Sequence, residues 1–269
     1  MTVFETQRIS LFYETHGDPA SPPVLLISGL GGVGASWGSQ TARFAEGHFV
    51  ILPDQRGTGR TSRTLEGHTT QQLAQDMVAL IEHLGVGPVH VVGASTGGAI
   101  AQYIALEHPL LVQSVTLSST FACFDAYTRR EFEVRRKMSD EWDRHSLLSS
   151  YSLFLFSPRY TREHPEAVTG WIDRAAASPA HPQDRQIGGL RIDMIAAHDT
   201  LARLSEISAP TLVLCGENNF CTPMPLSEEL AELIPAATLT VFHDAGELIE
   251  LEQPDYYFQI VSAFIKSHS

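Results

Sequence analysis

Gly93-Ala94-Ser95-Thr96-Gly97 follows the apolar run Val89 to Val92 and opens a small-residue stretch, Gly97 to Glu107, that ends before Pro109. An apolar run of strand length passing into a helical stretch through G-x-S-x-G reads as a tight strand-to-helix turn. The five-residue pattern alone is common; its placement between strand and helix carries the reading. Such a turn strains its central residue and brings two backbones together. It therefore needs small neighbours, which Gly93, Gly97 and Gly98 supply. The turn lifts the Ser95 hydroxyl above the strand end, and the helix N-terminus behind it favours developing negative charge.

The alternation continues outward in both directions. Val24 to Ile27, Phe49 to Leu52, Val115 to Leu117, Thr211 to Leu214 and Thr238 to Phe242 read as strands, and the alternating stretch Met1 to Tyr13 as another. Trp37 to Glu46, Pro225 to Ile234 and Pro254 to Ile265 read as helices. Thr69 to Leu84 places Leu73, Met77, Leu80, Ile81 and Leu84 on one helical face, starting at the capping types Thr69-Thr70 and stopping at Gly85. Near-continuous apolar strands alternating with helices imply an α/β fold: a mostly parallel sheet with helices on both faces and right-handed crossovers.

One stretch breaks the pattern. Residues 121–187 carry no strong strand but hold helical patches, prolines, the charges Arg129-Arg130 and Arg135-Arg136-Lys137, and aromatic residues including Trp142, Tyr151, Phe154, Phe156, Tyr160 and Trp171. The expected organisation is a core of residues 1–120 and 188–269 with 121–187 inserted as a helical cap. A second small domain is the other reading.

The chain has 269 residues, 43% hydrophobic and 18% charged, which is a globular composition with room for a buried pocket. Its formal charge is −13, from 31 acidic and 18 basic residues. That balance disfavours nucleic-acid binding, which needs a basic face, and no basic pocket for a strongly anionic substrate shows in the sequence. Cys123, Cys215 and Cys221 cannot all pair and fit no zinc spacing, so they read as free thiols in a reducing compartment. The N-terminus lacks a basic start and long apolar run, and no stretch reaches the ~20 apolar residues of a membrane span. The expectations are therefore a cytoplasmic protein without metal or cofactor, and a small-molecule partner under the cap. No membrane or nucleic-acid partner is expected. A homodimer stays open.

On these motifs the chain resembles the α/β-hydrolase family over nearly its whole length, nearest its enol-lactonase, aminoacrylate-hydrolase-like and C–C hydrolase branches. Besides the turn at Ser95, Ser28-Gly29-Leu30-Gly31-Gly32 resembles the family's H-G-x-G-G loop, and Asp54-Gln55-Arg56-Gly57-Thr58-Gly59-Arg60-Thr61 its D-x-R-G-x-G-x-S segment. Leu251-Glu252-Gln253-Pro254 resembles the segment after the family's catalytic histidine. The resemblance implies a nucleophile elbow at Ser95 and an oxyanion hole formed by the backbone N–H groups of Thr96 and Leu30. Ser28 replaces the loop's histidine, which need not destroy a hole built from backbone.

The chain departs from the family at two positions. Where the family carries its acid, Gly216-Glu217-Asn218-Asn219-Phe220-Cys221-Thr222-Pro223 places Asn219; where it carries histidine, Asp244-Ala245-Gly246-Glu247-Leu248 places Glu247. Ser-His-Asp thus becomes Ser95, Glu247 and Asn219. The two changes look coupled: an aspartate facing Glu247 would set two carboxylates together, whereas an asparagine amide can donate to one. His243 is an alternative base. His198, on the helix returning from the insertion, reads as structural, and His145, His164 and His181 as surface residues. Asp244 and Glu217 are stand-in acids that read more simply as loop charges. Three functions stay open. The first is a hydrolase of a small, mostly apolar ester, lactone or activated acyl compound. The second is a lyase, decarboxylase, cyclase or isomerase using the oxyanion hole and Glu247 for proton transfer. The third is a silent ligand-binding protein.

Overall fold

A computed structural model describes residues 2–6 and 8–269. The sheet comprises β1 (Thr2–Glu5), β2 (Ser10–His16), β3 (Pro23–Ile27), β4 (Phe49–Pro53), β5 (Val89–Ala94), β6 (Val112–Ser118), β7 (Thr211–Gly216) and β8 (Thr238–Phe242). The helices of the first half are α1 (Ser39–Ala45), α2 (Thr70–Leu84) and α3 (Thr96–Glu107). Between β6 and β7 lie α4 (Ala126–Glu141), α5 (Arg144–Leu155), α6 (Pro158–Glu163), α7 (Pro165–Ala177) and α8 (Asp184–Ala196). α9 (Met224–Leu233), α10 (Ile249–Glu252) and α11 (Pro254–Ser267) complete the chain.

The strands form one eight-stranded sheet in the order β1-β2-β4-β3-β5-β6-β7-β8. From β4 to β8 every pairing is parallel; β1 and β2 add an antiparallel edge. The expected mostly parallel, helix-flanked sheet is the observed one. The single strand read at Met1 to Tyr13 is instead two strands paired with each other, Thr2 against Tyr13 through Glu5 against Ser10. Alternating patterning fits one long strand and a hairpin equally well, so it could not separate them. Met1 and Gln7, within that stretch, lie outside the described residues.

The central strands are apolar because both faces are covered. β4 is buried throughout. One face packs with Leu73, Met77, Leu80 and Ile81 of α2 and Ile100 and Ile104 of α3; the other packs with Phe44 of α1 and Tyr257, Val261 and Ile265 of α11. Helix α2 begins where the Thr69 side chain accepts the Gln72 N–H and ends at left-handed Gly85 (φ 62°). A cap of that kind contributes about 1 kcal/mol.

The five helices α4 to α8 fill the stretch that carried no strand pattern, and the last runs past residue 187 to Ala196. Their base closes at a bridge between Cys123 and Asp199 and a Thr200 N–H···O=C Ala122 bond of 3.0 Å. The Ala197-His198 stretch has left the helix by that point. His198 is buried, its Nδ1 2.9 Å from the Thr70 hydroxyl.

Candidate active site

The site gathers at the C-terminal ends of β3, β5, β7 and β8, where loops leave a parallel sheet. Ser95 sits between β5 and α3 with φ 52° and ψ −118°, a conformation that costs a non-glycine residue about 1–3 kcal/mol. Close packing holds it there. A Cβ on Gly93 would meet the Gly97 carbonyl oxygen at 2.3 Å, and one on Gly97 would meet the Ile27 carbonyl oxygen at 2.1 Å. Those positions admit only glycine while the turn keeps its shape.

The early loop lies against the turn: a Cβ built on Gly29 would stand 3.3 Å from the Ser95 Cβ. Thr96 is the first residue of α3, so its N–H has no partner within the helix. The Asp54 segment braces this region. Asp54 is buried and accepts from the N–H groups of Gly34 and Arg60, both at 2.9 Å.

Asn219 and Glu247, 28 residues apart in sequence, meet across the loops after β7 and β8. The Asn219 Oδ1 accepts the N–H groups of Cys221 (3.0 Å) and Thr222 (2.9 Å). With the oxygen so engaged, the amide nitrogen turns to Glu247 and donates to its Oε2 at 2.8 Å. The Thr222 hydroxyl donates to the same Oε2 at 2.6 Å. Asn219 is 5% and Glu247 2% exposed. The backbone of Glu247 is fixed from the insertion, its N–H on the Leu155 carbonyl at 3.0 Å. Glu252 ties the preceding turn to α6 by accepting from the Ser157 N–H and hydroxyl, both 2.7 Å, and from the Gly246 N–H at 3.2 Å.

Burial pushes the Glu247 carboxyl above the usual carboxylate range, while the bonds from Thr222, Ser95 and Asn219 and the Arg135 charge favour the anion. The Ser95 hydroxyl is thus near enough to stabilise that charge. It does not complete a hydrogen bond, since Oε1 has no partner. A half-buried hydroxyl near a carboxylate that has an unpartnered oxygen is the relevant arrangement, because a bond of that kind tightens when substrate excludes water.

Two groups here do not stand out along the sequence. Thr222 lies three residues after Asn219, a spacing that suits a short side-chain turn. Arg135 sits in the charge run with Arg136 and Lys137, yet it is 3% exposed at the side chain. Its Nη1 donates to Glu131 Oε1 at 3.3 Å and to Cys221 Sγ at 3.0 Å, and its guanidinium lies 4.5 Å from the Phe132 ring and 4.3 Å from that of Tyr151. The Glu131–Arg135 pair, four residues apart on α4, was the available signal. Burial lifts Glu131 to about 7, opposed by Arg135 and assisted by the charge on Glu247. A basic group thus does sit beside the site, already paired with an acid.

Other candidates lie elsewhere. His243 is exposed, its ring nitrogen 3.4 Å from Glu217. Asp244 pairs with Arg159 at 2.6 Å. His145 faces Asp173 at the surface, 3.5 Å away. Two surface clefts, of about 340 and 380 Å³, are lined from Pro19, Phe49 and Leu84 and from Thr70, Tyr103 and Met194; neither reaches Ser95 or Glu247. Among the described residues no group of three His, Cys, Asp or Glu side chains could hold a metal ion, and no helix is long and apolar enough to cross a membrane.

The strand order, the strained turn at Ser95 and the loops that converge on it are those of the α/β-hydrolase fold, and residues 22–254 match that family's model; the chain belongs to the α/β-hydrolase family. Among its relatives, the protein named "Putative carbamate hydrolase RutD" from Azorhizobium caulinodans is 32% identical, with 94% of each chain covered. Its counterpart from Variovorax paradoxus is 34% identical over 88% of each. The enol-lactonase structure from Burkholderia xenovorans LB400 superposes with a TM-score of 0.88, covering 98% of this chain and all of that one at 22% identity, a likeness of fold.

Proposed function

We propose that this protein hydrolyses a small acyl compound (an ester, lactone or carbamate) through Ser95, with Glu247 as the base and Asn219 and Thr222 holding that base. The carrying observation is the buried Asn219 amide on Glu247 Oε2 at 2.8 Å, which leaves Oε1 without a partner while the Ser95 hydroxyl is near enough to favour the carboxylate. The relatives named for carbamate hydrolysis support the acyl class. Ser95 Oγ attacks the carbonyl carbon as Glu247 takes the hydroxyl proton. The oxyanion is held by the N–H groups of Thr96 and Leu30. As the acyl–oxygen or acyl–nitrogen bond breaks, Glu247 returns the proton to the leaving group. A water then repeats the sequence on the acyl-Ser95 ester, restoring both groups. Burial suits Glu247 to this task, because a carboxylate at its ordinary pKa is a weak base at neutral pH and raising it strengthens it.

The incomplete Ser95–Glu247 bond favours one second reading: Glu247 moves a proton on the substrate itself, in a lyase or isomerase step without acylation. Intact mass after incubation with p-nitrophenyl acetate separates the two. The hydrolytic reading expects an acetyl adduct on Ser95 that is absent in Ser95→Ala, and a loss of about 10²–10⁴-fold in turnover for Glu247→Gln. Full activity of Glu247→Gln, or turnover of esters by Ser95→Ala at the parental rate, refutes it.

A further inference from the structure

Arg191 belongs to α8, in the insertion, yet it reaches the early loop beside Ser95 and is 2% exposed. Its Nε donates to the Leu30 carbonyl at 2.8 Å, its Nη2 to Gln55 Oε1 at 2.6 Å, and its Nη1 approaches the Arg56 carbonyl at 3.5 Å. Gln55 passes the contact on, its Nε2 donating to the Ser28 carbonyl at 2.6 Å. Between these two, the Gly29 carbonyl accepts the Gly32 N–H at 3.0 Å. Three successive carbonyls, of Ser28, Gly29 and Leu30, are therefore all engaged.

A trans peptide points its N–H opposite to its C=O, so engaging those carbonyls fixes the direction of the N–H groups of Gly29, Leu30 and Gly31. The fit at the guanidinium is tight: a Cβ on Gly32 would stand 3.0 Å from Nη2. Burial pulls the Arg191 pKa down to about 10, and no acidic group offsets it. A buried guanidinium without a carboxylate is costly, and hydrogen bonds to carbonyls alone are an unusual compensation. Elsewhere in the chain the buried guanidiniums have acids, Arg56 on Asp76 at 2.7 Å and Arg135 on Glu131 at 3.3 Å. Arg191 thus carries an uncancelled charge next to the loop expected to receive an oxyanion.

We propose that Arg191 is a positioning residue of the reaction: reaching from the insertion, it locks the Ser28–Gly32 loop in the shape that presents the Leu30 N–H to Ser95, and its uncancelled charge favours the oxyanion there. This rests on the reading of the Leu30 N–H as an oxyanion donor. It ties the helical insertion to the chemistry through one side chain, so displacement of α8 disturbs the loop directly.

The experiment uses the full-length protein and its Arg191→Met and Arg191→Lys variants. Methionine fills similar volume and removes both donors and charge; relief of the buried cation's desolvation offsets part of the cost of the acceptors left unpaired, and hydrogen exchange separates a local effect from a global one. In Arg191→Met the Gly32 amide, read by hydrogen exchange, loses protection at least about tenfold while amides of β5 keep theirs. With p-nitrophenyl acetate, kcat falls about 10- to 100-fold at an almost constant KM, and Arg191→Lys recovers part of it. Unchanged Gly32 exchange in Arg191→Met overturns the proposal, whatever turnover does. So does a loss of protection spread evenly over the sheet, which marks a structural role. The exchange measurement needs no turnover. Should the parent fail to hydrolyse any ester, the hydrolytic reading falls while the exchange result still decides the role of Arg191.

Discussion

Replacing Asn219 with aspartate exchanges one NH₂ for an oxygen and changes almost no volume, yet it should shift the working pH range of the site upward. The new oxygen would stand where Nδ2 now does, 2.8 Å from Glu247 Oε2. Two unit charges at that separation repel by about 6 kcal/mol at an effective dielectric of about 20. That corresponds to about 4 pH units, as a ceiling, because the pair relieves the repulsion by holding one proton between its oxygens. The proton settles on Glu247. The aspartate retains the two backbone N–H donors of Cys221 and Thr222, which favour its anion, whereas Glu247 keeps one hydroxyl donor, Thr222, with the weakly engaged Ser95 and the more distant Arg135 charge. A protonated Glu247 cannot take the proton of Ser95. The ascending limb of the kcat/KM profile for p-nitrophenyl acetate should therefore move up by at least about 2 pH units. Activity on the acid side of that limb should fall about 100-fold and return as pH rises. Calorimetry at pH 8 should show an unchanged fold. A profile superimposable on that of the parent refutes the coupling of these two residues and with it the assignment of Glu247 as base.

Two further outcomes follow from buried charges. Arg135→Met strands Glu131 in the interior and should cost about 3–5 kcal/mol in urea unfolding at pH 8, while the double change Glu131→Met with Arg135→Met should be nearly neutral or stabilising; equal losses in both would show that the pair is not what holds α4. His198 is pulled down to about 4, chiefly by burial, so the folded protein keeps it neutral while the unfolded chain protonates near 6.5. Its contribution is complete above pH 6.5 and is lost as pH falls towards 4, by about 2 kcal/mol at pH 5, and His198→Gln should flatten that part of the urea-unfolding profile.

Local chemistry legible along the chain settled a good deal. Gly93-Ala94-Ser95-Thr96-Gly97 between an apolar strand and a small-residue helix is enough to place a strained serine at a strand end, because only that turn needs glycines at those positions. The alternation of apolar runs and amphipathic helices determined the parallel sheet, since strands covered on both faces have no polar side to show. It also exposed the departure at Asn219 and Glu247, whose residue types announce that an amide faces an acid. What those patterns do not carry is any side chain whose meaning comes from a distant neighbour. Arg135 and Arg136 are adjacent and chemically identical. One is enclosed between Phe132, Tyr151 and Cys221, the other pairs near the surface with Asp193 at 3.3 Å, and only the packing of α4 against the loop after β7 distinguishes them. Thr222 matters because two backbone N–H groups turn the Asn219 amide towards Glu247. Arg191 matters because α8 folds back over a loop 161 residues earlier in the chain. Periodicity reports which face of an element is buried; it cannot report what the buried atom meets. The sequence therefore determined the fold and pointed to the residues of the candidate site, and the tertiary structure decided the electrostatics around them, because charge and hydrogen-bond direction depend on distances that no local pattern encodes.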